Sequence, residues 1–88
     1  MTDLRAIVEK GRHAGNLRDS AMFREVIDGL RVTYRDAFEA ADPSDADSLQ
    51  NVAYALKILA QIETAIDGLV TDGIVAKSEL DEAEQADS

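Results

Sequence analysis

The sequence predicts an all-α protein, and three observations carry that reading. Apolar residues recur every three or four positions along most of the chain. No stretch shows the alternation of a half-buried strand. The single proline stands in a short acidic turn between two long periodic segments. The expected architecture is an antiparallel helical hairpin with a short N-terminal helix, one domain over residues 1–80, completed as a bundle by oligomerisation.

The first segment, residues 1–17, places Leu4, Ile7, Val8, Gly11 and Ala14 at helical spacing, with Thr2 as a cap. Its heptad phase is two residues off that of the next segment, and Gly11, Gly15 and Asn16 lower helix propensity. A separate short helix or a kink near Gly15–Leu17 follows. In the second segment, residues 20–41, Phe23, Ile27, Leu30, Tyr34, Ala37 and Ala41 hold one face, widened by Val26 and Phe38, with Ser20 as N-cap. Asp42-Pro43-Ser44-Asp45-Ala46-Asp47 breaks the pattern. Pro43 disfavours a helical Asp42 but suits the first turn of a new helix, and Ser44 with Asp47 resembles a capping box.

The third segment, residues 45–71, has two apolar stripes. One is Leu49, Val52, Leu56, Leu59, Ile66 and Val70; the other is Ala55, Ile58, Ile62, Ala65 and Leu69. One stripe serves one neighbouring helix, so two adjacent stripes imply two neighbours. Asp72-Gly73 reads as the stop, since glycine tolerates a left-handed C-cap. Ile74–Leu80 then reads as a helical turn or two folded back on the hairpin. Residues 81–88 read as an acidic disordered tail, because small and acidic residues cannot bury enough surface to offset chain entropy.

Composition excludes several functions. The 88 residues carry a net charge of −9, all of it in the second half: residues 1–40 have seven acids and seven bases, whereas 41–88 have eleven acids against Lys57 and Lys77. That balance argues against direct nucleic-acid binding. The absence of cysteine removes disulfides, thiolate zinc sites and a cysteine nucleophile. No apolar run approaches a membrane span, and a cytoplasmic location in a host cell is expected.

Few residues suggest chemistry. His13 reads as a solvated helix histidine, without a partner in any nucleophile or metal motif. Asp42, Asp45 and Asp47 lack the turn glycine and terminal glutamate of a calcium loop and read as helix-capping acids. Glu63 interrupts the first stripe. It is either an edge residue with its stem packed and its carboxylate in water, or a specificity device paired with an arginine of the second helix or of another chain. Gly29 and Gly68 lie inside helices, marking either a close helix approach or plain tolerance, and Tyr34 and Tyr54 read as core-edge aromatics. No enzyme, metal or cofactor is expected. Ile58, Ile62, Ala65 and Leu69, with Glu63, form the candidate interface, and a homodimer is the favoured assembly.

The stretch Met22–Leu80 resembles small, uncharacterised helical-hairpin proteins of tailed bacteriophages and prophages. The resemblance rests on Phe23, Ile27, Leu30, Tyr34 and Phe38, then Asp42-Pro43-Ser44-Asp45, Leu56-Lys57-Ile58-Leu59, and the closing Val70-Thr71-Asp72-Gly73-Ile74-Val75-Ala76. Where those proteins often carry a tryptophan after the tyrosine, this chain has Phe38; where they often have an aromatic early in the next helix, it has Val52, Ala53 and Tyr54. The resemblance implies a virion or assembly accessory protein acting through protein contacts, on itself or on a larger phage structural protein. The acidic second half supplies the competing expectation, an inhibitor that occupies a basic groove of a host protein as a nucleic-acid mimic.

Overall fold

The computed structural model describes residues 3–86, and it is all-helical: α1 spans Leu4–Asp19, α2 Ala21–Ala40 and α3 Ala46–Ala86, with no strand among the described residues. Asp3 caps α1, its carboxylate accepting from the backbone N–H groups of Arg5 and Ala6. The expected cap, Thr2, lies outside the described residues. Glycines 11 and 15 do not break the helix. The break comes at Ser20, three residues beyond the expected kink, where the backbone turns extended (φ −65°, ψ 124°). Ser20 serves both helices at once. Its N–H donates to the Leu17 carbonyl, and its hydroxyl accepts from the Phe23 N–H. The break also rephases the apolar face: heptad continuation from Gly11 and Arg18 would turn Glu25 inward, and α2 instead buries Ile27.

The turn before α3 is built by aspartates, though not as a Ser44–Asp47 box. Asp42 accepts from both the N–H and the hydroxyl of Ser44, and Asp45 accepts from the N–H and the hydroxyl of Ser48 as the N-terminal cap. These bonds hold both carboxyls below their ordinary range, Asp42 chiefly through the Ser44 backbone N–H and Asp45 chiefly through the Ser48 hydroxyl.

From there α3 runs without interruption through Asp72-Gly73 to Ala86. The expected stop is absent, Ile74–Leu80 does not fold back, and residues 81–86 continue the helix where a tail was expected; residues 87 and 88 lie outside the described range. Gly73 is not a cap, and no glycine has positive φ. It stands instead against Gly11. A Cβ built on Gly11 would lie 2.8 Å from the Gly73 Cα and 2.8 Å from the Leu69 carbonyl oxygen, and one on Gly73 would lie 2.9 Å from the Gly11 Cα. The two backbones touch, which only residues without a Cβ allow. Gly29 and Gly68 have no atom within 4 Å of where a Cβ would stand, so close helix approach does not account for them.

Three cross-helix contacts fix the topology. Gly11 meets Gly73, Arg18 meets Asp67 at 3.2 Å, and Arg31 meets Glu63. Numbers rise on one side as they fall on the other, so α1 and α2 follow one another along α3, antiparallel to it. The larger contact belongs to α1, not to α2 as the hairpin expectation had it. The result is a layer of 67 × 26 × 14 Å with a radius of gyration of 19.0 Å. A compact chain of this length would have about 12 Å. Only Ala14, Ile27, Leu59 and Ala76 are buried apolar side chains among the described residues, and none is fully buried. The exposed area is 6654 Å² for 9.5 kDa, whereas a compact monomer of that mass exposes about 5,000 Å².

The packing makes the glycines unequal. Gly11→Ala and Gly73→Ala should each lose about 1–3 kcal/mol, the cost of overpacking against a backbone that cannot yield. Gly29→Ala and Gly68→Ala should each gain about 0.5–1 kcal/mol from helix propensity alone. Thermal melts of the four variants test the contrast, and equal shifts for all four would refute the Gly11–Gly73 contact. Because the Asp42 and Asp45 carboxyls are depressed on folding, their stabilisation is present at neutral pH and is lost as pH falls through the folded-state values. Amide protection at Ser44 and Ser48, taken relative to the intrinsic exchange rate at each pH, should therefore fall on acidification before protection at the Leu59 amide does.

Candidate protein-interaction face

The layer has two broad faces, and the helical repeat assigns side chains to them. At about 100° per residue, Glu63, Asp67 and Ile74 flank the α3 seam of Leu59, Ile66 and Gly73 on one side, and Ile58, Ile62, Ala65 and Leu69 flank it on the other. On α2, Arg24, Asp28 and Arg31 lie to the first side of Ile27, and Val26 and Leu30 lie to the second. The grooves agree with this division. One groove joins Arg18, Arg24 and Asp28 to Glu63 and Asp67. Another, of about 470 Å³, joins Leu4 and Ile7 of α1 to Leu69, Val75 and Ala76 of α3, with Lys10, Asp72 and Glu79 at its margins.

The first face is held by charge. Arg18 bridges α1 to Asp67 of α3, and Arg31 bridges α2 to Glu63 while also reaching Asp28 at 3.1 Å. Arg31 and Glu63 form an ion pair at the seam, with the Arg31 side chain 32% and the Glu63 side chain 42% exposed. Glu63 thus stands in the seam on the charged side and meets an arginine of the second helix. It does not share a face with Ile58, Ile62, Ala65 and Leu69.

The second face carries no charge over its middle. On α3 the only charged residues between Asn51 and Thr71 are Lys57, Glu63 and Asp67; Lys57 points away from the layer and the two acids belong to the other face. The α2 charges likewise fall on the other face or away from the layer. What remains is apolar and wet: Ile58 is 55% exposed, Ile62 40%, Leu69 38%, Val26 50% and Leu30 38%. Ala65 is exposed beside them. The interface candidates on α3 are readable from their spacing. Spacing alone places the matching residues of α2, Val26 and Leu30, on the inward face with Ile27; in the structure Ile27 is buried and the other two are exposed.

Other candidate residues are solvated. His13 is 71% exposed and lies 3.8 Å from Glu9, whose carboxyl is held below its usual range chiefly by a hydrogen bond from Arg12. Tyr54 accepts from the Gln50 side chain. Among the described residues no group of three or more His, Asp or Glu is placed to hold a metal ion, and no helix is long and apolar enough to cross a membrane.

No protein family matches the chain, and neither a curated protein nor a solved structure is significantly similar to it.

Truncating one partner of the Arg31–Glu63 pair removes the counter-charge of a half-exposed carboxylate. Arg31→Met should cost about 0.5–1 kcal/mol, and Arg35→Met, at an exposed position, less. Restoring the loss with Glu63→Leu in the Arg31→Met background would show that the penalty was the orphaned charge. Chemical denaturation of these variants and the parent supplies the comparison.

Proposed function

We propose that this protein acts without catalysis, as an elongated helical platform for protein–protein contact, and that the charge-free face of α2 and α3 is its working surface. One observation carries the reading: among the described residues no side chain is fully buried, and the layer exposes an apolar face whose middle, between Asn51 and Thr71 of α3, is free of charge. Single exposed apolar residues are ordinary, but a contiguous face of them marks an interaction surface. The helical arrangement is then one half of a bundle that an oligomeric partner completes.

Within that class we favour a virion or assembly accessory role, in the cytoplasm of an infected cell or on the particle. The resemblance of Met22–Leu80 to small phage and prophage proteins supports it. The competing role, an acidic inhibitor of a host protein, draws on a different feature: the exposed α3 end, residues 79–86, carries Glu79, Asp81, Glu82 and Glu84 and no base.

Purified phage particles from the producing culture decide between them. Recovery of the chain in fixed stoichiometry with the particles, lost on Ile58→Asp, is the expected outcome. Absence from the particles would overturn the assembly role. Binding to a host protein that is retained in Ile58→Asp but lost when Glu79, Asp81, Glu82 and Glu84 are made glutamine would establish the inhibitor instead.

A further inference from the structure

Resting on the reading of the charge-free face as a contact surface, we infer that its occupant is a second copy of this chain, related by a two-fold axis that lies in the interface and crosses the layer at Leu30 and Ile62. The inference begins with heights along the layer. Phe23 and Ile27 of α2 share a groove with Glu63 and Ile66 of α3, and Arg31 reaches Glu63, so Leu30 stands within about one helical turn of Ile62 on the other face. An axis through both brings α3 against the α3 of the copy in the opposite direction, and α2 against its α2.

Residues equidistant from the axis then meet. Ile62 faces Ile62, Ile58 faces Ala65, and Leu69 faces Ala55; on α2, Leu30 faces Leu30 and Val26 faces Thr33. Away from the axis each large α3 side chain therefore meets a small one. A surface that packs on itself by a two-fold must be complementary to its own reversal, and the order Ala55, Ile58, Ile62, Ala65, Leu69 has that property about Ile62. Reversed knobs and gaps of this kind give an unrelated partner no advantage.

Area and charge agree with a second copy. The charge-free span from Asn51 to Thr71 is about 30 Å long, and the layer is 26 Å wide. The face thus offers roughly 800 Å², what each side of a standard interface buries. A chain of net charge −9 could recruit a basic partner electrostatically, and such a partner would be met by a charged surface. This face has none to offer. In the antiparallel arrangement the acidic end of α3 beyond Glu79 comes level with Asp45 and Asp47 of the copy. The copies repel at the ends while the apolar centre holds them, so added salt tightens the dimer.

The absence of native cysteine makes the geometry directly testable. Ile62→Cys should form an intermolecular disulfide rapidly on mild oxidation, whereas Ile74→Cys, 66% exposed on the opposite face, should not. In an equimolar mixture of Ala55→Cys and Leu69→Cys chains, the mixed disulfide should exceed either like pair several-fold. Sedimentation of the cysteine-free protein at micromolar concentration should give twice the chain mass, with the dissociation constant falling as sodium chloride rises across the range where the screening length shrinks from about 30 to 10 Å. Two results would overturn the assignment. A monomeric mass at high protein concentration and moderate salt, with Ile62→Cys no faster to cross-link than Ile74→Cys, removes the second copy. Preferential Ile62–Leu30 cross-linking in a mixture of the two cysteine variants places the axis along the helices instead. In the first case the contact-surface reading is judged separately, by whether Ile58→Asp still abolishes recovery with particles.

Discussion

At the crossing of α1 and α3 the backbones of Gly11 and Gly73 touch, and the rest of the layer is built outward from that contact. It draws the helix axes closer than side chains would allow and pins residue 11 opposite residue 73. With that register fixed, Arg18 falls within reach of Asp67, and beyond the Ser20 break Arg31 falls within reach of Glu63. The close approach has a cost. Glycine lowers helix propensity and supplies no side chain to pack, and Ala14 and Ala76 beside it are small as well. The tightest part of the structure therefore buries little apolar surface, and the larger side chains are left to stations where the helices stand further apart.

Two helices side by side enclose no volume. Each has one neighbour, so a side chain directed to either broad face remains in water whatever its chemistry. The chain resolves this asymmetrically. Over the middle of the layer ion pairs occupy one face, where exposure suits them, and aliphatic residues occupy the other, where it does not. The charged face also sets the register of α2 against α3, a task that α2 could not discharge by burial, since Ile27 is its one buried residue. A buried or half-buried ion pair adds little net stability but penalises any slipped register, which would leave Glu63 without its counter-charge.

Much of this is legible in the sequence, and the failures have a common origin. The inward stripe of α3 and the exposed stripe beside it follow from spacing alone, because a helix of this length repeats its pattern often enough to be unambiguous. The Pro43 turn and the Ser20 cap follow from local chemistry. Gly73 misleads because Asp72-Gly73 looks the same as a helix end and as a helix crossing. What distinguishes them is Gly11, remote in sequence, which no local signal announces. The same blindness assigns the main packing to α2: the strongest amphipathic pattern belongs to α2, but the closest contact belongs to glycine and alanine, which periodicity scores poorly. Residues 81–86 read as a tail from their lack of apolar residues, whereas a long helix already nucleated and packed upstream propagates through such a sequence at small cost per residue.

That propagation gives the molecule an adjustable end. The last turns of α3 hold four carboxylates at the negative pole of the helix, with no basic residue in the final turn to oppose them. Mutual repulsion and the dipole both disfavour the helix there, while backbone hydrogen bonding favours it. Screening those carboxylates with salt shifts the balance toward helix; dilute buffer shifts it toward fraying. Each residue gained or lost there changes the length of α3 by about 1.5 Å, so the span of the helix responds to the ionic strength of its surroundings.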